Sequence, residues 1–547
     1  MVASPVLKLV PKSADPTPAS PKPKLGLRAW MERVLVECDR AAAGFDADAV
    51  HDLRVALRRC RSLADGLMAI DPDSSWKDMK RAGRKLFRAL GELRDMQVMQ
   101  EWIEKLGDVG DVGDGPTLAQ KARQDGAPAL LDHVLAREAE CKQDAFKDLE
   151  QFDRKQWEQW TRTLPRRAAR VRPGSAVYLH LALEKWTAAY DLHKHALRSR
   201  SQAGWHQLRI GIKRFRYTVE NFLPRQHAEW GADLKELQDL LGEVHDLDVL
   251  WSTGVAIQAF PDVESRKRWR EKLQAQRGRR IARYREKMVG RESLWRVWRA
   301  ELPAGPQLRA AALSRLKLWA GYLDPDFLHS QRVAQLALHL YDGLNGAGLL
   351  TAGAVAVSSA TVNSEAENSW TENPDHDWRA VLQAAALMHD VGKAKRADKH
   401  QKTSYRMIRG LARPLGWSAR ELELAAVVAR YHRGALPRPA GKTMQALTLS
   451  ERPIAMKLAG ILRLADALDR PHGRSGNESG PRLEVSVLDH FVVVRAAGYS
   501  ALDSSAESVA AARHLLETGL RRPVLVRALR GSARGGTAAG RAVAARS

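Results

Sequence analysis

His51, Arg54, Arg58 and Arg61 stand 0, 3, 7 and 10 residues along one stretch of this chain, and His206, Arg209, Lys213 and Arg216 repeat that spacing 155 residues later. On a helix turning ~100° per residue, each set falls in a stripe roughly 80° wide and ~15 Å long. Aligned cations repel one another by a few tenths of a kcal/mol per pair, which ordinary solvated helices relieve by interleaving Glu. Neither stripe does so. Such a face suits a phosphate-rich polyanion, because Arg forks match phosphate oxygens in pairs and His adds a donor with tunable charge. Arg59 and Arg214 flank the stripes in the two copies.

A second group of residues suits metal chemistry. His389 and Asp390 close the apolar run Ala384–Met388, with Lys393 three residues on. His329 opens the apolar segment HSQRVAQLALHL, His432 follows Tyr431, and Asp466 lies in LRLADALD. Imidazole nitrogens and carboxylates suit a divalent Mn, Fe or Mg ion, which polarises phosphate and lowers the pKa of water. Lys393 adds a point charge for a phosphate. No Gly stands five residues before Gly392, so the Gly-rich phosphate loop with its Lys does not compete for that role.

The elements that position the stripes are legible too. Leu53, Leu57, Cys60 and Leu67 point away from the first stripe, and Leu208, Ile212, Phe215 and Phe222 away from the second. Each helix therefore buries one face and presents cations on the other. Downstream, LGELRDMQV from Leu90 matches LGEVHDLDV from Leu241, an offset of 151 residues. Two motifs recurring in one order mark a duplication. The Gly91–Asp95 and Gly242–Asp246 segments read as structural, their carboxylates orienting the cations.

Residues 1–24 are rich in Pro, Ser, Ala and Lys and read as a disordered lead-in. A helical pattern follows from 25 to about 300, broken at Asp71-Pro72, at the Gly-rich 107–115 stretch and at Arg172-Pro173-Gly174. Pro303 to Pro306 reads as the joint to a second unit over 306–530, helical to about 470 with a polar surface insert at 351–377. LEVSV and FVVVR then alternate as a hairpin turning at Asp489-His490, followed by a helix over 506–518 and a strand over 523–529. Residues 531–547 read as a disordered basic tail. The fold class expected is mainly α, with a small C-terminal α+β appendage.

Composition bounds the partners. Lys and Arg number 88 against 64 Asp and Glu in 547 residues, a formal charge of +24. That surplus attracts nucleic acid, anionic membrane surfaces or polyphosphate. Base-reading nucleic-acid binding is disfavoured, since neither stripe interleaves exposed aromatics or Asn and Gln. Cys38, Cys60 and Cys141 follow no pairing or metal spacing and read as small core residues in a reduced compartment. With no signal-like N-terminus and no run of ~20 apolar residues, a soluble cytoplasmic protein without membrane contact is expected.

HDLRVALRRCR, HQLRIGIKRFRY, LGELRDMQV and LGEVHDLDV resemble the CHAD (conserved-histidine α-helical) domain over residues 25–300, in both of its repeats. That resemblance implies two four-helix units about a pseudo-twofold axis, a basic groove that binds inorganic polyphosphate, and association with polyphosphate granules. Its contacts map onto His51, Arg54, Arg58, Arg59, Arg61, His206, Arg209, Lys213, Arg214 and Arg216. The copies differ at Asp52 against Gln207 and at Arg94 against His245.

HSQRVAQLA, AAALMHDVGK, SYRMIRG, GWSARELELAAVVARYHRG and LAGILRLADALDR resemble the C-terminal HD-type domain of the exopolyphosphatase/guanosine-pentaphosphate phosphatase family. HD phosphohydrolases imply a metal quartet of His329, His389, Asp390 and Asp466, with His432 as accessory ligand. His389, Asp390 and Lys393 are then the catalytic candidates. A His usual before the Ser of the next helix is missing from Gln401-Lys402-Thr403-Ser404, which argues against a dinuclear centre. In exopolyphosphatases hydrolysis belongs to an N-terminal actin-like domain that this chain lacks, and the HD-like part there helps to hold the phosphate chain and build a dimer. The pocket is therefore either catalytic or part of a binding channel. Glu138, Glu140 and Lys142 match the ExExK pattern of triphosphate tunnel enzymes but fall in a helical stretch, where no barrel can form.

Overall fold

The computed structural model describes residues 26–44, 47–107, 127–350, 377–469 and 483–529. The lead-in at 1–24, the tail at 531–547, all but the first residue of the 107–115 breaker and all but the last of the 351–377 insert lie outside them.

Eleven helices among the described residues form the first half: α1 (Leu27–Gly44), α2 (Ala47–Leu67), α3 (Ser75–Ala82), α4 (Arg84–Gly107), α5 (Ala127–Glu150), α6 (Arg154–Ala168), α7 (Ala176–Ser199), α8 (Gln202–Phe222), α9 (Pro224–Ala256), α10 (Val263–Met288) and α11 (Leu294–Ala300). Each copy contributes four long helices and a shorter closing one. The 33-residue α9 is unbroken, with Pro224 in its first turn, whereas its counterpart is split at Gly83 into α3 and α4. Local chemistry fixes the starts. Ser201 accepts from the Gly204 amide at α8, and Asp262 from the Ser265 amide at α10.

The face opposite each stripe is buried as its periodicity requires. Leu53, Leu57, Cys60, Leu208, Ile212 and Phe215 are fully enclosed, within one core running from Leu27 to Leu302. Burying each such Leu or Phe contributes roughly 1.5–3 kcal/mol. All three cysteines are free and buried. Glu138, Glu140 and Lys142 lie on α5, a helix, so the tunnel-enzyme pattern is a coincidence.

The second half comprises α12 (Gly305–Leu323), α13 (Phe327–Gly346), α14 (Trp378–Met388), a 3-10 turn (Val391–Ala394), α15 (His400–Arg409), α16 (Ala419–Arg430), α17 (Lys442–Gln445) and α18 (Glu451–Asp469). Then come β1 (Leu483–Val487), β2 (Val492–Ala496), α19 (Ser505–Leu520) and β3 (Val524–Ala528). β1 and β2 are antiparallel, with Val485 opposite Val494. β3 returns parallel to β2, Val526 opposite Val494, and α19 makes the crossover. A second core joins Ala312 to Val524.

Two close approaches hold these helices. A Cβ on Gly460 would meet Leu516 Cα at 2.6 Å, so α18 and α19 touch backbone to backbone. One on Gly392 would strike the His400 carbonyl and the Ser404 amide, so only Gly lets the 3-10 turn seat on α15. The halves are joined by side chains. Arg315 donates to Glu184 Oε1 (2.6 Å) and the Ala69 carbonyl (2.9 Å), and Tyr322 donates to the Arg167 carbonyl (2.9 Å).

Candidate functional site

The two stripes do not lie on separate surfaces. α2 and α8 pack together, and Arg54 and Arg58 of the first copy approach Arg209 and Lys213 of the second. Burial, aided by Arg209, Arg58 and Arg54, pushes the Lys213 amine down to about 8. Asp95 on α4 faces Arg54, Arg209 and Lys213, and burial still raises its pKa. Its counterpart Asp246 on α9 is pushed up to about 6 by burial, against the pull of Arg209. Four half-buried cations thus share a centre with two carboxylates, one from each LGExxD segment. The Nε atoms of Arg54 and Arg58 are buried without a hydrogen-bond partner among the described residues. Buried donors without partners are costly, and an anion entering from solvent would supply them.

The other stripe members differ. His51 is exposed, and Arg214 is exposed beside the second stripe. His206 Nδ1 lies 3.2 Å from His245 Nδ1, whose ring burial pushes down to about 4, helped by Arg209. Arg59 pairs with Glu220 Oε1 at 2.6 Å, Arg61 donates to the Lys80 carbonyl at 2.8 Å, and Arg216 donates to Gln238 Oε1 at 2.9 Å. These three guanidiniums tie helices together.

In the second half, five chain segments meet around a cavity of about 270 Å³. His329 lies in the first turn of α13, where its amide donates to the capping Asp326. His389 and Asp390 end α14, His400 opens α15, His432 follows α16, and Asp466 and Asp469 lie in the last turn of α18. All five residues expected to ligate a metal, with Lys393, are brought to this one place.

The rings are oriented in a common way. Nδ1 of His389, His400 and His432 lies 2.7, 3.0 and 2.7 Å from the carbonyls of Ala386, Ala397 and Ala429. A carbonyl only accepts, so each Nδ1 carries a proton. His329 Nδ1 meets Asp469 Oδ2 at 2.7 Å, and Arg332 clamps the same carboxylate at 2.8 and 2.9 Å. Fixing Nδ1 in this way leaves Nε2 as the ligand atom, which is how metal-binding histidines are held.

Those Nε2 atoms converge on carboxylates. His329 Nε2 lies 3.1 Å from Asp466 Oδ1, and His389 Nε2 lies 3.4 Å from Asp390 Oδ2 and 3.8 Å from Asp466 Oδ1. His400 and His432 approach the other Asp390 oxygen, Oδ1, at 3.0 and 3.8 Å. Their two Nε2 atoms are only 3.2 Å apart, so a proton or a cation must separate the lone pairs. Nε2 of His389 is buried without a hydrogen-bond partner among the described residues. This donor set fits a divalent ion, or two ions sharing Asp390.

Electrostatics agree. Burial alone would raise Asp390, but His389, His400, His432 and Lys393 outweigh it and hold the carboxyl well below its usual range. Burial would lower His329, but Asp466 and Asp469 lift it to about 9. Buried His432 is pushed down to about 3, a neutral ring ready to ligate. Lys393 pairs directly with Asp390, and Arg433 also lines the cavity.

His400 corrects the sequence reading. The helix after the His-Asp pair does supply a histidine, one residue before Gln401, where Lys399 in the left-handed region (φ 54°) turns the chain into α15. With His400 Nε2 beside Asp390 Oδ1, the donor set has room for a second ion. Asp469, Arg332 and Asp326 were also missed. Asp469 falls one helical turn after Asp466, the spacing that puts both on one face.

The chain carries a CHAD domain, matched over residues 26–254, followed by a Ppx/GppA phosphatase domain III, matched over residues 323–499. It is also similar to the crystal structure of the CHAD domain from the plant Ricinus communis, at 22% identity over 51% of this chain and 90% of that one, with a TM-score of 0.32. The comparison with curated proteins gives no match. No described helix is long and apolar enough to cross a membrane.

Proposed function

We propose that the chain binds inorganic polyphosphate at the junction of its two basic stripes and presents it to a metal-dependent phosphohydrolase site in the second half. The observation that carries the first part is the convergence of Arg54, Arg58, Arg209 and Lys213 from both copies, with the buried Nε atoms of Arg54 and Arg58 left without partners among the described residues. His51, His206 and Arg214 extend the cationic surface, and Arg59, Arg61 and Arg216 hold the helices that carry it. Recruitment to polyphosphate granules follows from the same binding.

The test is a titration with long-chain polyphosphate at physiological salt, with duplex DNA as competitor and the His51→Glu/Arg54→Glu/Arg58→Glu variant alongside. Tight binding that survives DNA and disappears in the variant supports the reading. Binding that DNA displaces reduces the stripes to a general basic surface.

The second part rests on the four histidines whose Nε2 atoms face Asp390 and Asp466. In HD fashion, His329, His389, Asp390 and Asp466 would hold one divalent ion, with His400 and His432 completing the set around the other Asp390 oxygen. When bound, a Mn, Fe or Mg ion polarises a phosphoryl oxygen and lowers the pKa of water. The chain's own groups do the rest. Lys393 and Arg433 meet the phosphate charge at the cavity, and Asp469 with Arg332 keeps the His329 ring in its working tautomer. Elemental analysis of purified protein, followed by phosphate release from polyphosphate and nucleotide substrates with Mn added, tests this. Protein without metal and without phosphate release would leave the pocket as part of a binding channel.

A further inference from the structure

A second cavity, of about 420 Å³, opens where the two halves meet, between the turn linking α6 to α7 and the outer face of α12. Val171, Val177, Leu318, Gly321 and Phe327 form its apolar lining. Three exposed cations, Arg170, Arg172 and Lys317, stand around it, and no described carboxylate pairs with any of them. The Tyr322 ring lies at one side with the Arg170 and Arg167 guanidinium carbons each 5.1 Å from its centroid. Ser175 Oγ, also lining the cavity, is buried without a hydrogen-bond partner among the described residues.

We propose that this cavity is a ligand site, distinct from both sites above, for an aromatic phosphate such as a nucleoside phosphate. Its volume falls in the range of small-molecule sites, and junctions between domains are where such sites concentrate. The apolar lining argues against inorganic polyphosphate, which has no body to cover it. A flat body against Phe327 and Leu318 buries that surface, the Ser175 hydroxyl gives one directional contact, and the anionic head meets Arg170, Arg172 and Lys317. Phe327 begins α13, and its neighbours Asp326 and His329 line the His/Asp cavity. A ligand here touches the same helical turn that carries a metal-ligand candidate, and it bridges the two halves.

The test is fluorescence titration of the full chain with N-methylanthraniloyl-ADP at ~0.15 M salt, with a chelator present so that no metal recruits the probe elsewhere. Saturable binding is expected, weakened about tenfold or more by Arg172→Glu/Lys317→Glu. Both side chains are exposed, so the fold is expected to persist, which circular dichroism checks. Ser314→Trp, which fills the cavity without changing charge, is expected to abolish binding, and long-chain polyphosphate is expected not to displace the probe. The proposal is overturned by the absence of saturable binding up to ~1 mM. It is overturned equally by binding that polyphosphate displaces and that the Arg172/Lys317 variant leaves intact, because the probe would then sit on the stripes.

Discussion

The basic junction and the His/Asp pocket both gather charge into partly buried places, but they balance it differently. At the junction, Arg54, Arg58, Arg209 and Lys213 gather around Asp95 and Asp246, so cations outnumber these two carboxylates, and the Nε atoms of Arg54 and Arg58 have no hydrogen-bond partner among the described residues. In the pocket, each histidine is fixed through Nδ1, and its Nε2 is aimed at Asp390 or Asp466. Surplus charge acts over distance, is screened by salt and tolerates loss of any one member. Directed lone pairs act at contact, ignore salt and fail when one atom goes. The first arrangement suits a long repetitive anion, the second a small ion and a single reacting group.

The largest effect should come from inverting the surplus. His51→Glu/Arg54→Glu/Arg58→Glu is expected to weaken polyphosphate binding by about a thousandfold, and each arginine lost should flatten the log–log salt dependence by about 0.7, by analogy with single-stranded nucleic acid. Isothermal titration across a salt series measures both. Unchanged affinity would mean that the junction does not hold the polymer.

Next in size is Asp390→Ala. Its two oxygens serve different histidines, so this single change should lower metal content and phosphate release by at least about a hundredfold, beyond what loss of a supporting residue costs. Polyphosphate affinity should stay as it was. Salt sharpens the contrast, because raising it should strip polyphosphate from the junction while leaving metal in the pocket. An Asp390→Ala protein that keeps its metal would sink the pocket reading.

How much of this was legible in the sequence differs between the two places. Helix periodicity gave the stripes and their buried faces directly, since spacings of 3 and 4 residues map onto one side of a helix whatever surrounds it. Periodicity is blind to neighbours, however. It could not tell that Arg59, Arg61 and Arg216 are engaged by Glu220, the Lys80 carbonyl and Gln238, nor that both stripes share one centre. The hairpin and the returning strand were legible to within one residue, because alternation and turn residues act locally. His400 was not. Its role depends on the left-handed turn at Lys399 and on Gly392 seating against α15, contacts distant in the pattern though close in space.

That missed residue gives a smaller, sharper test. His400→Ala is expected to weaken metal binding about tenfold and, if two ions bind, to remove one of them. Gln401→Ala, its immediate neighbour, should change neither. Metal counting by elemental analysis on both variants decides it, and equal behaviour of the two would mean that His400 is only a packed ring.

The smallest effect concerns the place where the two copies diverge. His245 stands where the first copy has Arg94, and burial, with Arg209, His206 and Lys213, pushes its ring down to about 4, so it is neutral at pH 7. An anion seated beside Arg209 favours the protonated ring, so binding takes up a proton and strengthens as pH falls from about 7 to about 5. Asp246, pushed up to about 6, loses its charge in the same window and adds in the same direction. On the alkaline side, Lys213 at about 8 gives up its proton, and affinity should fall above that pH. His245→Arg supplies a fixed cation. It is expected to tighten polyphosphate binding about threefold at neutral pH and to flatten the acid-side rise, leaving the part owed to Asp246, which Asp246→Asn removes. An acid-side rise as steep in His245→Arg as in the unaltered chain would place the anion away from this ring, and the second copy's divergence would then be a matter of packing alone.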